Sequence, residues 1–172
     1  MINSILNVNN NFESQLKFDK NKFLLFGAGI TGISTLQKLI VADILPIAFI
    51  DETPTKLGQF INGIEVISLK QALDKYSDLK IVVTILNPSM DFLLFKENLM
   101  KKGFQYVYSF IDLYYSLPHI LLPFMHFHNY QFFELNKNKI EESLELFKEQ
   151  KSVDIFLKNL DFRVNLNYDS II

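Results

Sequence analysis

The chain has 172 residues, 49% hydrophobic and 21% charged, enough for one folded domain with a full core and a helical appendage. A formal charge of −2 and a single arginine, Arg163, give no electrostatic basis for a nucleic-acid partner. The absence of cysteine excludes disulfides, thiolate metal sites and a cysteine nucleophile.

Residues 1–20 read as a polar, asparagine-rich segment without the basic region and long apolar stretch of a signal peptide, so a cytoplasmic location is expected. Phe23 to Phe26 form a continuous apolar run, the pattern of a strand buried on both faces of a parallel sheet. The loop Gly27-Ala28-Gly29-Ile30-Thr31-Gly32 follows, and then Ile30, Ile33, Leu36 and Ile40 recur at helical spacing, predicting an inward face. "PIAFI" gives a second strand ending at Asp51, so 22–51 has the length of a βαβ crossover.

The turn-rich stretch around Pro54, Gly58 and Gly63 leads to a strand at Ile64 to Ile67. Ser68 and Gln71 form a capping box for a helix reaching about Tyr76. "KIVVTIL" (80–86) predicts another buried strand, after which Ser89 is placed to cap a helix with Phe92, Phe95 and Leu99 inward and Gly103 at its close. "YVYS" (106–109) is the fifth strand. The alternation predicts an α/β fold: a Rossmann-like, doubly wound, mostly parallel sheet of five strands in the order 3-2-1-4-5.

Beyond Asp112 the pattern turns helical. "KNKIEESLELFKEQ" and "SVDIFLKNLDFRV" read as two helices with Ser152 as a cap between them. The expected organisation is a polar segment at 1–20, a nucleotide-binding domain at 21–112 and a helical extension at 113–172. "LYYSLPHILLPFMHF" (113–127) is interrupted by two prolines and falls short of the ~18 apolar residues of a membrane span, which suggests a buried or docking surface.

The glycines carry the functional reading. Gly27 suits a tight turn out of the first strand, Gly29 lets a phosphate approach the backbone, and Gly32 lets the helix pack closely on the sheet. The helix start at Ile30 and Thr31 offers free N–H groups to an anion. Asp51, nineteen residues after Gly32 and followed by Glu52, stands where a carboxylate accepts ribose hydroxyls. No arginine lies nearby to receive a 2′-phosphate. Thr84, Asn87 and Ser89 fall at the end of the fourth strand, and Asn87 serves equally well as a ligand contact or as a strand terminator. The alternative role of the glycines is strand-to-helix geometry alone, with Asp51 capping a turn at Thr53.

Leu25 occupies the position where an S-adenosylmethionine loop usually carries an acid, so this loop is not expected to hold the methyl donor. His119, His126 and His128 lack a third ligand at a useful spacing, and no metal site is expected. Glu141 and Glu145 read as part of a solvated helix face over Ile140, Leu144 and Phe147. No nucleophile, base and acid can be assembled into a catalytic set.

"LLFGAGITGISTLQKL", "PIAFIDETPTKLGQFINGIEVISLKQAL", "IVVTILNPS" and "YVYSFIDLYYSLPHILLPF" together resemble the region preceding the catalytic domain in bacterial methyltransferases of the FkbM family. The resemblance covers 22–163 and rests most on "AFID", the "G…I-x-G-x-x-V-I-S" segment and "LP…LP". It implies an accessory half of a glycan-modifying system, with the S-adenosylmethionine domain missing or on a partner in cis or trans. It carries over Gly27, Gly29, Gly32, Asp51 and Asn87 as the ligand loop. A looser likeness to the N-terminal domain of nucleotide-sugar acetyltransferases, through "GAG" and "FID", implies a nucleotide sugar at that loop.

The expected function is therefore binding of a nucleotide, nucleotide sugar or NAD, without catalysis by this chain. The alternatives are an NAD-binding oxidoreductase fragment, using Tyr106, Tyr108 or a histidine as acid, and an assembly module forming a homodimer through 113–133.

Overall fold

A computed structural model describes residues 2–6, 21–87, 89–125 and 127–165. In chain order these form α1 (Ile2–Leu6), β1 (Phe23–Phe26), α2 (Ile30–Val41), β2 (Ala48–Ile50), β3 (Phe60–Ile61), β4 (Ile64–Ile67), α3 (Leu69–Tyr76) and β5 (Lys80–Val83). There follow α4 (Phe92–Lys101), β6 (Tyr106–Ser109), α5 (Phe110–Ser116), α6 (Pro118–Leu121), α7 (Tyr130–Leu135), α8 (Lys137–Glu145) and α9 (Gln150–Asn165).

The sheet runs β3-β4-β2-β1-β5-β6, with β3 antiparallel to β4 and the other pairings parallel. Its five parallel strands stand in the expected doubly wound order. The sixth, β3, closes a hairpin on β4 through Asn62 and Gly63, both at positive φ (49° and 83°). Asn-Gly is the dipeptide that such a turn selects, and it is visible in the sequence.

Successive side chains of β1 point to opposite faces, so a four-residue apolar run feeds two cores. Phe23 and Leu25 join Phe49, Val66 and Val82 under α2, α5 and α6. Leu24 and Phe26 join Ile50, Ile81 and Val83 under α3 and α4. A separate cluster packs α1 (Ile2, Leu6) against Phe133 of α7 and Leu157, Leu160 and Val164 of α9. Tyr115, Phe127 and Phe162 link α9 to α5.

Several local expectations are corrected. Of the predicted face of α2, Leu36 is buried and Ile33 half-buried, whereas Ile30 is 91% exposed and Ile40 38%; the buried face is Gly32, Thr35, Leu36 and Leu39. Gly32 sits against the backbone of Gly27, just beyond β1, and that contact fixes the rotation of the helix. Asp91 rather than Ser89 caps α4, accepting from the Leu94 N–H at 3.0 Å. Ser152 lies inside α9, which begins at Gln150. β5 ends at Val83, earlier than expected, although the Thr84 N–H still donates to the Phe26 carbonyl at 2.8 Å. The capping box of Ser68 and Gln71 is formed as expected. Pro88 and His126 lie outside the described residues, as do 7–20 and 166–172.

The run 113–127 turns inward: Leu113, Tyr114, Tyr115, Leu121 and Phe127 are buried. One polar contact in this layer ties α5 to the glycine-loop helix. The Thr35 hydroxyl donates to the Thr31 carbonyl at 2.8 Å, so in its 3.1 Å contact with the Tyr114 hydroxyl it accepts and the tyrosine donates. Burial pushes the Tyr114 phenol up in pKa, against the opposing pull of the Thr35 hydrogen bond. Tyr114→Phe is expected to cost about 1 kcal/mol, read as a lower denaturant midpoint at unchanged slope. An unmoved midpoint would show that this bond adds nothing.

Candidate functional site

The loop between β1 and α2 is built around two glycines that touch. A Cβ on Gly32 would lie 2.0 Å from the Gly27 carbonyl oxygen and 2.8 Å from Thr84 Oγ1. Gly27 itself adopts φ +106°, a conformation that favours glycine. The Gly27 N–H donates to the Ile50 carbonyl (2.8 Å), and the Thr84 hydroxyl donates to the carbonyls of Gly27 (2.8 Å) and Phe26 (3.0 Å). Thr84, read as a ligand contact, thus spends its proton on the loop backbone.

Gly29 is different in kind. It caps α2 in extended backbone (φ −93°), no side chain satisfies the helix start, and nothing lies within 4 Å of where its Cβ would be. The first helical bond runs from Ile33 N–H to the Gly29 carbonyl, so the amides of Ile30 and Thr31 precede it. Open space over unpaired amides at the positive end of a helix is the arrangement that receives phosphate.

Asp51, at the end of β2, faces this loop and is already engaged. Its Oδ2 accepts from the Ala28 N–H (2.9 Å) and from Lys56 Nζ (3.0 Å), while Oδ1 accepts from the Thr53 N–H (2.9 Å). Lys56 Nζ also donates to the Ala28 carbonyl at 3.1 Å. Acid and lysine therefore clamp the loop at one residue. The Thr53 hydroxyl bonds the same carboxylate, so the about four acceptor positions of a carboxylate are all taken and a ribose hydroxyl enters only by displacing one of these donors. The cation beside Asp51 is not an arginine but Lys56, five residues on, where the 54–58 turn folds back.

Burial raises the Asp51 pKa, but the hydrogen bonds from Thr53, Lys56 and Ala28 outweigh it and bring it from 3.8 to about 2. Glu52 is also committed: its carboxylate accepts the Leu69 N–H at the start of α3. Asn87 accepts the Ser89 N–H at 2.9 Å, the bond of a strand-ending turn.

These elements enclose a cleft of about 840 Å³ lined by Gly27, Gly29, Ile30, Thr31, Asp51 and Glu52, together with Lys56, Ile85, Leu86 and Met125. Ala28, Gly32 and Asn87 stand outside its lining. Sequence reasoning missed Lys56 and Met125. The lysine was readable only as one charge in a turn, and Met125 reaches the cleft from a turn long after the sheet. A second, mainly apolar cavity of about 650 Å³ lies among α7, α8 and α9, and no residue of the glycine loop lines it. His128 stacks on Phe132 with ring centroids 3.9 Å apart, and among the described residues no three His, Asp or Glu groups converge as metal ligands.

No protein-family model and no curated protein matches the chain. Solved structures do. The methyltransferase FkbM from Methylobacillus flagellatus KT aligns with TM-score 0.65 and 13% identity over 95% of this chain. The likeness is one of fold. This chain spans 44% of that methyltransferase. UDP-D-quinovosamine 4-dehydrogenase from Vibrio fischeri aligns over 53% of this chain and 78% of its own, at 26% identity and TM-score 0.42. RSP, a Rex-family repressor, aligns over 73% and 63%, at 14% and 0.43. The feature shared with the methyltransferase is a Rossmann-like fold.

Two predictions follow from the loop. Gly32→Ala forces a methyl into the Gly27 carbonyl and is expected to cost at least about 2 kcal/mol in chemical denaturation, whereas Gly29→Ala stays within about 1 kcal/mol of wild type; equal losses would contradict the close contact. For Asp51, a pKa held below its unfolded value stabilises the fold above pH 3.8, and that stabilisation is lost as pH falls towards 2. With its side chain 12% exposed, the shift corresponds to about 2 kcal/mol. The stability gap between wild type and Asp51→Asn should shrink by that amount from pH 5 to pH 2; a constant gap would mean the clamp does not depress the pKa.

Proposed function

We propose that this chain binds a phosphate-bearing nucleotide, a nucleotide sugar or a dinucleotide, at the glycine loop, as the accessory half of an FkbM-like methyltransferase system. The observation that carries it is the pairing of open space over Gly29 and an uncapped α2 start with an ionised acid one strand away. The phosphates sit at the amides of Ile30 and Thr31, and a ribose hydroxyl reaches Asp51 by taking the place of the Thr53 hydroxyl. Lys56, beside that carboxylate, adds positive charge to the phosphate end.

The chain's part is holding rather than reacting. Among the described residues, the titratable side chains lining the cleft are Asp51, Glu52 and Lys56. Each is committed: Asp51 to donors from Ala28, Thr53 and Lys56, Glu52 to the start of α3, and Lys56 to Asp51 and the Ala28 carbonyl. A carboxyl held near pKa 2 is a poor proton carrier at neutral pH. Methyl transfer in this reading belongs to a separate domain, in cis or trans, that supplies its own donor site. The fold-level likeness to a methyltransferase more than twice as long supports that division.

Titration calorimetry with ADP, UDP, NAD and UDP-N-acetylglucosamine tests the reading. At least one is expected to bind, and Gly29→Val, which fills the open space, should weaken that binding about tenfold or more while leaving the melting temperature close to wild type. No heat with any of the four would sink the proposal.

A further inference from the structure

Met125 enters the cleft from the turn that follows α6, and that turn is fixed from several sides. Lys38 of α2 donates to the Leu121 carbonyl at 2.9 Å and lies 5.7 Å from the centroid of the Phe124 ring. Phe124 packs on Tyr114 with ring centroids 4.9 Å apart. Its backbone exchanges two hydrogen bonds with Phe127, at 3.1 and 2.9 Å. Met125 stands at the tip with φ 50°, 64% exposed while lining the glycine-loop cleft.

It is not the sole large apolar group left open there. Ile30, at the start of α2, is 91% exposed, and Leu86, beyond β5, is 48% exposed; both line the same cleft. Because β2 and β5 flank β1 on opposite sides, the cleft changes character across the end of β1. Asp51, Glu52 and Lys56 make its β2 side charged. Leu86, with Ile85, makes its β5 side hydrocarbon.

From this polarity we infer that Ile30, Leu86 and Met125 form a ledge for the group carried beyond the phosphates, with Met125 as a specificity-determining residue. The inference rests on the nucleotide reading above and narrows it. A group with an apolar face, such as a nicotinamide ring or an acetamido sugar, removes hydrocarbon from water on both sides of the contact. A fully hydroxylated hexose laid on the same ledge leaves hydroxyls dehydrated without partners. The ligand class is therefore a nucleotide diphosphate bearing a planar or methyl-bearing group.

The test is calorimetry on the full chain with two matched pairs, NAD against ADP-ribose and UDP-N-acetylglucosamine against UDP-glucose, with ADP and UDP as baselines. Met125→Asn removes the apolar surface and suits the positive φ, so the fold is expected to survive. In wild type, the apolar-faced member of at least one pair should bind about fivefold tighter than its partner. Met125→Asn should bring that pair to within about twofold while leaving ADP and UDP unchanged. A gain for NAD identifies the ring and a gain for the acetamido sugar identifies the methyl; either supports the ledge. Nucleotide binding without such a gain, or a gain that survives in the variant, overturns this inference alone. Failure of all six ligands to bind overturns the nucleotide reading and the ledge with it.

Discussion

The approach of α2 to the end of β1 is the constraint on which the cleft depends. Gly32 sits so close to the Gly27 carbonyl that no Cβ fits, and the Thr84 hydroxyl ties the same carbonyl down from β5. This contact fixes the rotation of α2. It turns Thr35, Leu36 and Leu39 into the core and leaves Ile30 in the cleft. It also aims the start of the helix, and hence its unpaired amides and positive dipole end, across the strand ends rather than into the sheet.

A second device acts at the neighbouring residue. Asp51 and Lys56 grip the N–H and the carbonyl of Ala28 respectively, so the loop is held from the β2 side as firmly as from β5. The electrostatic consequence is a nearly neutral pair in place of a bare carboxylate, partly shielded and fixed in its ionised form. The clamp positions the loop, while the amides of Ile30 and Thr31 stay open.

Much of this was legible in the sequence because periodicity and spacing carry it. The apolar run at 23–26, the capping box at Ser68 and Gln71, and the alternation of strands and helices specify the order of the five parallel strands through the right-handed crossover rule. Of the helical stripe, Leu36 is buried as its spacing predicts, but Ile30 and Ile40 are not, because hydrophobic spacing reports amphipathicity and not close packing; the glycine decided the rotation. Ser89 lost the cap of α4 to Asp91, two residues nearer the helix. Lys56 and Met125 escaped notice because each reaches the cleft by a turn: at 54–58 for the lysine, and at 122–127, pinned by Lys38 and Phe124, for the methionine.

The helices after the sheet are therefore joined to the cleft in two ways, through Tyr114 on Thr35 and through the turn that presents Met125. The central claim is that the ligand seats at the glycine loop and not in the apolar cavity among α7, α8 and α9. Backbone amide shifts of ¹⁵N-labelled protein, followed during titration with the tightest-binding nucleotide, test it most directly. The account predicts that Gly29, Ile30 and Thr31 move first and furthest, while Ile140, Ser143 and Phe156 stay in place. Shifts centred on Ile140, Ser143 and Phe156, with a still glycine loop, would contradict it.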